Sequence, residues 1–237
     1  MTPSGGGSYK LTTEGIKGLL DSKVRFAARA TLTKEFINLK EVVLHLLGLG
    51  FPSVNILPSI GGNGFDLNPE DIEILKAQYT DFADYFIERI EKDEFIGFTN
   101  LVMEVRRTKV AGQKRFYPCG AGRNYVCITP DGGIYLCHRL ANREEFRMGN
   151  LQTGFDRSLG EKISELHVDN RPGCKQCWAR YFCGGGCYFA SWIRHKNIEQ
   201  PDEAQCQLKR HLIELALYIN SVLDVSEEEV ASLPYGE

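Results

Sequence analysis

All eight cysteines of this 237-residue chain lie between Cys119 and Cys206. No other feature restricts the second half so strongly, because thiols gathered in one stretch point to disulfides, metal or redox chemistry. They form two patterns. Cys119 is followed by twelve residues, Gly132, four residues and Cys137, with Cys127 in between. Cys174-x2-Cys177-x5-Cys183-x3-Cys187 is then followed by eighteen residues and Cys206. Disulfides require an oxidising compartment, and the stretch Met1 to Gly7 has neither the basic nor the apolar region of a secretory signal. The expectation is a cytoplasmic protein whose cysteines hold metal. Twenty-eight basic against 31 acidic residues leave a net charge of −3, which gives no reason to expect nucleic acid as a partner. No apolar run approaches the ~18 residues that a membrane span needs.

Two metals suit the cysteines. A four-iron cubane takes thiolates, typically four. Its C-x2-C loop sets two sulfurs on neighbouring irons, and Gly184-Gly185-Gly186 lets backbone N–H groups approach sulfur. Cys206 falls in an early turn of a helix, where the dipole favours its thiolate. Structural zinc also takes four thiolates and uses C-x2-4-C knuckles. Here, however, C-x5-C-x3-C follows the first knuckle without a second C-x2-C, so the spacing favours iron–sulfur.

The first hundred residues alternate helix and strand patterns. Thr12 to Leu20 reads as a short helix with Ile16, Leu19 and Leu20 on one face, and Val24 to Leu32 as a strand. Thr33 is placed to cap a helix carrying Phe36, Leu39, Val42, Val43, Leu46 and Leu47, which Gly48 and Gly50 end. Ser53 to Leu57 is a second strand. Asn68 and Pro69 open a long helix with Ile72, Leu75, Tyr79, Phe82 and Phe86 on its buried face. The order implies parallel strands with helices outside, yet two parallel strands need neighbours along their edges. This half reads as a piece of a larger α/β barrel. The stretch Phe98 to Tyr117, with Arg106, Arg107, Lys109, Lys114 and Arg115, reads as a solvated basic bridge. Tyr125 to Cys137 is a hairpin around Pro130-Asp131-Gly132, and a three-residue loop there puts Cys127 and Cys137 on one face with Tyr125 and Tyr135. A loop-rich stretch leads to a final helix over about Asp202 to Leu223, with Leu208, Leu212, Leu215 and Ile219 buried.

The full pattern, C-x12-G-x4-C, gap, C-x2-C-x5-C-x3-C, gap, C, resembles the SPASM domain of radical S-adenosylmethionine (radical SAM) enzymes over roughly Cys119 to His211. The flanking segments Cys119-Gly120-Ala121-Gly122, Leu136-Cys137-His138-Arg139, Met148-Gly149-Asn150-Leu151 and Cys177-Trp178-Ala179-Arg180 are similar to thioether-forming peptide maturases. Among these are the SCIFF maturases and the maturation factor of quinohemoprotein amine dehydrogenase. More weakly, the first hundred residues resemble the last two strands of the radical SAM barrel, from the Gly7-Ser8-Tyr9 start of its fourth helix.

The resemblance implies the C-terminal portion of a partial (β/α)6 barrel at 1–97, a bridge at 98–118, an α+β SPASM domain at 119–223 and an acidic tail at 224–237. It implies two auxiliary 4Fe-4S clusters, one on Cys119, Cys137 and Cys187, the other on Cys174, Cys177, Cys183 and Cys206. Cys127 is either a further ligand of the first cluster or a free buried cysteine. No cysteine precedes Cys119, so the C-x3-C-x2-C motif for the catalytic cluster is missing. S-adenosylmethionine and a third 4Fe-4S cluster are expected only in a full-length enzyme, and this chain alone is expected to be inactive. Arg29 on the fifth barrel strand is a SAM-carboxylate contact by analogy, or else a surface arginine. The implied partners are a cysteine-rich substrate peptide or protein and a separate barrel half. Three functions stay open: part of a maturase of ribosomally made peptides, an electron-transfer or peptide-binding module, and a zinc-stabilised domain. His138 stands either beside the first cluster or at the surface, and His45 reads as structural. Trp178, Tyr181, Phe182, Tyr188 and Trp192 form an apolar jacket around the cysteines or line a peptide groove.

Overall fold

The computed structural model describes residues 5–22, 24–62, 64–110 and 114–223. The acidic tail at 224–237 lies outside them. The chain divides into two compact units, Met1–Val110 with Leu212–Glu237, and Ala111–His211.

In the first unit, α1 (Tyr9–Leu20) leads to β1 (Ala28–Leu32), α2 (Leu39–Gly48), β2 (Val54–Pro58), α3 (Pro69–Ile90) and α4 (Thr99–Lys109). The two strands pair in parallel, Ala28 opposite Val54 through Leu32 opposite Pro58, joined through α2. A third parallel strand is only begun: Val54 bridges Phe98, and Val54 N–H donates to Gly97 O at 2.8 Å. The chain then turns into α4, and a side chain continues the ladder. Asn100 accepts from Ile56 N–H at 2.8 Å and donates to Ile56 O at 2.6 Å, satisfying a backbone that is 1% exposed. The α/β class and the partial barrel are therefore as expected.

α3 buries Ile72, Leu75, Tyr79, Phe82 and Phe86, and its Asn68–Asp71 capping box starts it where Asn68-Pro69 predicts. Burial pushes the Tyr79 phenol well above its ordinary range, with the nearby Glu104 charge adding to the effect.

Three local readings are corrected. The strand begins at Ala28 rather than Val24, because the first ladder partner, Ser53 O, meets Ala28 N–H at 2.9 Å, and Val24 stands in solvent. Thr33 does not cap α2. It closes a tight turn with Phe36, whose N–H donates to Thr33 O, and Asn38 caps instead by accepting from Glu41 N–H at 3.2 Å. Phe36 thus lies outside the helix and is half exposed. The basic bridge folds largely into α4, whose Leu101, Val102 and Val105 are buried and whose Arg106, Arg107 and Lys109 fall in the last turn, where the dipole favours cations. Arg107 also pairs with buried Glu104 at 2.5 Å. α1 is the helix expected at Thr12 to Leu20, and none of its residues is buried, with Leu19 and Leu20 each 41% exposed. His45 hydrogen-bonds Tyr9 at 2.9 Å, joining α2 to α1.

The second unit contains a four-stranded antiparallel sheet in sequence order, β3 (Cys127–Ile128), β4 (Gly133–Tyr135), β5 (Arg147–Asn150) and β6 (Gly154–Phe155). The hairpin has the expected three-residue loop. Thr129 N–H donates to Gly133 O at 2.9 Å, and Gly132 takes φ +83°, which a side chain rarely adopts. The stretch read as loop contains α5 (Ser158–Glu165), α6 (Arg180–Cys183) and α7 (Tyr188–His195) before the last helix, α8 (Glu203–Leu223). Leu208, Leu212, Leu215 and Ile219 of α8 are buried as expected.

Candidate metal centre

None of the eight cysteines is in a disulfide. Three of them, far apart in sequence, act on one another. Cys137 follows β4, and the backbone amides of Arg139 and Leu140, in the 3-10 turn behind it, help to hold its thiol down, while the Leu140 N–H donates to the Cys137 carbonyl at 3.0 Å. Burial pushes the Cys137 thiol up against that help, and the nearby charges of Cys187 and Cys119 push it further. Tyr125 belongs to the same group. Its phenol is pushed up to about 12, first by burial, then by the charges of Cys119 and Cys137, a hydrogen bond with Cys119 and the charge of Cys187.

Cys119 and Cys187 arrive from different loops, brought together by backbone packing. Gly184 ends α6 with φ +78°, and a Cβ there would collide with the Tyr117 carbonyl. Nearby, Arg115 N–H donates to Tyr181 O at 2.8 Å. The segment leading to Cys119 therefore lies against the turn between Cys183 and Cys187.

Cys174, Cys177, Cys183 and Cys206 form the other group. Burial raises the Cys174 thiol, the Arg171 charge opposes this, and Cys183 and Cys177 add to the rise. Cys206 is pushed up to about 12, chiefly by burial and then by the charges of Cys183 and Cys174, with Arg210 opposing. It stands one turn into α8, at the end where a helix dipole favours a thiolate.

The remaining residues are distributed as follows. Cys127 opposes Tyr135 across the hairpin, half-buried and on the same face. His138 is exposed on the 3-10 turn after Cys137. Tyr188 is buried, whereas Trp178 is 50% exposed, so the jacket does not close over the second group at that point. Arg29 is exposed on β1 opposite Asn55. Beside the first group lies a cavity of about 680 Å³ lined by Arg123, Asn124, Tyr125, Phe155, Arg157 and Glu161, among others.

Among the described residues, no three His, Cys, Asp or Glu side chains converge as they would around one ion. Two sets of thiols, each close enough to interact yet spread over several loops, suit a polynuclear cluster whose sulfurs attach to different irons. The donor set therefore fits iron–sulfur.

Residues 119–178 match the SPASM family, an iron–sulfur cluster-binding domain. The chain resembles that domain over about a quarter of its length. It is 33% identical over 89 residues to the mycofactocin maturase MftC of Mycobacterium ulcerans (strain Agy99), a match covering 35% of this chain and 24% of MftC. Its fold is similar to anSMEcpe with bound AdoMet at TM-score 0.70 and 16% identity, over 98% of this chain and 63% of that one. The same protein with AdoMet and the Cp18Cys peptide bound gives TM-score 0.70 and 16% identity over 94% and 64%. The cluster-binding domain expected from the resemblance is thus matched in sequence over 119–178, and the fold is that of a radical SAM/SPASM protein over most of the chain. The chain spans about a quarter of the curated relative and less than two thirds of the solved chains.

Sequence reasoning singled out all seven grouped cysteines. It missed two other side chains at the centre, Tyr125 and Arg171. Tyr125 carried a signal, since hairpin alternation put it on the cysteine face. Arg171 stands in a stretch read as loop.

Proposed function

We propose that this chain is the C-terminal part of a radical SAM maturase whose SPASM domain holds two auxiliary 4Fe-4S clusters and supports carbon–sulfur bond formation in a ribosomally made, cysteine-rich peptide. The observation that carries this reading is the division of seven cysteines into two interacting groups. Cys119, Cys137 and Cys187 would hold the first cluster, with Cys127 as a candidate fourth ligand. Cys174, Cys177, Cys183 and Cys206 would hold the second. Such clusters supply one-electron transfer and, at an iron without a protein ligand, a place for a substrate thiolate. The Arg139 and Leu140 amides favour the Cys137 thiolate, and the Tyr125 hydroxyl orients Cys119. The cavity beside Tyr125, with Arg123 and Arg157 on its wall, offers a peptide an approach to the first group. Arg29 would contact the SAM carboxylate once the rest of a barrel is present, and among the described residues β1 pairs on one side only, with β2. Clustered thiols suit a reducing cytoplasm, and among the described residues no helix is long and apolar enough to cross a membrane.

A second reading is favoured by the cavity beside Tyr125, which would bind a peptide without SAM chemistry in this chain. The chain would then be an electron-transfer or peptide-binding module serving a separate barrel protein.

Anaerobic reconstitution tests the shared core of both readings. The expected product carries close to eight irons and a broad visible band that dithionite bleaches. Two tightly bound zinc ions and no visible band would overturn it. Deoxyadenosine formation after addition of a separate barrel half, with substrate crosslinking followed by mass spectrometry, distinguishes the maturase from the module.

A further inference from the structure

The Arg171 side chain is fully buried. Its Nε donates to Glu199 O at 2.9 Å, and its Nη1 donates to Gly185 O and, at 3.2 Å, to Gly186 O. Its Nη2 donates to Ser191 Oγ at 2.7 Å and Ile198 O at 2.8 Å. All three nitrogens are used, and every acceptor is neutral. The acceptors lie in the turn between Cys183 and Cys187, in α7, and in the loop leading to the helix that carries Cys206. Arg171's own carbonyl accepts from Cys174 N–H at 3.1 Å. One side chain thus ties together the segments that present Cys174, Cys183 and Cys206.

The hydrogen bonds satisfy the donors but leave the charge. A guanidinium stays protonated in proteins, and a buried charge is ordinarily paired. Among the described residues no carboxylate pairs with Arg171. The titratable groups near enough to act on it are Cys174, Tyr188, Cys206 and Cys183, three of them thiols of one group. Burying an uncompensated ion costs several kcal/mol, so such a residue persists where its site acquires negative charge.

We propose that Arg171 is the buried countercation and positioning residue of an iron–sulfur cluster held by Cys174, Cys177, Cys183 and Cys206, raising that cluster's reduction potential while its planar fork fixes the ligand loops. The inference rests on the two-cluster reading above. A thiolate-ligated cluster is anionic, and reduction adds another negative charge, so a fixed cation in a low-dielectric setting favours the reduced form. Lysine keeps the charge but not the fork.

The test is a redox titration of the anaerobically loaded chain, followed by electron paramagnetic resonance, with Cys206→Ala identifying the second cluster's couple by its loss. Arg171→Gln is expected to shift that couple's reduced-to-oxidised ratio at least tenfold toward oxidised, 59 mV more negative for one electron, and to leave the other couple in place. Arg171→Lys is expected to keep the potential near wild type while releasing iron faster on warming. A fully loaded Arg171→Gln variant with an unmoved potential overturns the proposal. If Arg171→Gln does not load, a loaded Arg171→Lys near the wild-type potential supports the countercharge. Equal loss of the cluster in both variants shows that the fork alone matters and overturns it. A wild-type chain lacking two couples would be a failure of the two-cluster reading, recognisable before any variant is made.

Discussion

Gly184 and Gly186 offer a matched pair of perturbations. Both have positive φ, +78° and +74°, so alanine at either meets the same left-handed backbone penalty, about 1–2 kcal/mol. Their surroundings differ. A Cβ on Gly186 meets nothing within 4 Å, whereas one on Gly184 runs into the Tyr117 carbonyl and the Pro118 nitrogen, backbone atoms that cannot rotate away. Forcing a methyl into such a contact adds about 1–3 kcal/mol, so Gly184→Ala should lose about 2–5 kcal/mol in total. At 2–4 °C per kcal/mol for a domain of this size, the melting temperature should fall by roughly 2–8 °C for Gly186→Ala and roughly 4–20 °C for Gly184→Ala. Circular dichroism of the anaerobically loaded chain at one fixed scan rate reads both, and iron content is measured in parallel. The displaced segment is the one that delivers Cys119, so Gly184→Ala should also load the first cluster poorly while Gly186→Ala loads it normally. Equal melting temperatures and equal iron in the two variants would refute the claim that close packing of Tyr117 on Gly184 brings Cys119 to Cys187.

Cys174→Ala or Cys206→Ala should remove about half the iron and spare the first cluster's spectrum, and Cys119→Ala should do the reverse. Cys187→Ala should remove the first cluster, and loss of only the second would show the crossed grouping to be wrong. Cys127→Ala is expected to change the first cluster's spectrum if Cys127 is a ligand, and unchanged iron and spectra would show it to be a bystander. Asn100→Ala leaves the buried Ile56 N–H and C=O without partners and should destabilise by about 2 kcal/mol or more, read as a lower melting temperature. The fully reconstituted and reduced chain alone should form no 5′-deoxyadenosine from SAM above a cluster-free control, and robust formation by mass spectrometry would require an open, SAM-chelating iron among these eight cysteines.

Legibility in the sequence followed the strength of local chemistry. α3 was plain because its apolar spacing, capping residues and Pro69 agree, and the hairpin because Pro130-Asp131-Gly132 admits few turns. α4 was hidden: β-branched Thr99, Val102 and Val105 lower helix propensity, and the basic last turn imitates a solvated loop. The α2 start was misread since Thr33 and Asn38 are both good caps, and only tertiary pairing of Thr33 with Phe36 selects the second. At the candidate site the spacing of cysteines marked the donors. It was silent on Arg171, whose role depends on carbonyls 14 to 28 residues away meeting at one point.

The way the cysteine groups interleave along the chain sets a timetable for biogenesis. The first group opens at Cys119 and is complete only when Cys187 has been made, by which time three members of the second group have already emerged. At about 5–20 residues per second, Cys119 waits about 3–14 s for Cys187, and Cys206 follows a further 1–4 s later. Neither metal site can therefore be finished before the other is largely present. A chain still on the ribosome carries six or seven unmatched thiols at once, vulnerable to oxidation and to capture by zinc. Once α8 is made, Cys206 joins Cys174, Cys177 and Cys183 and completes the second group.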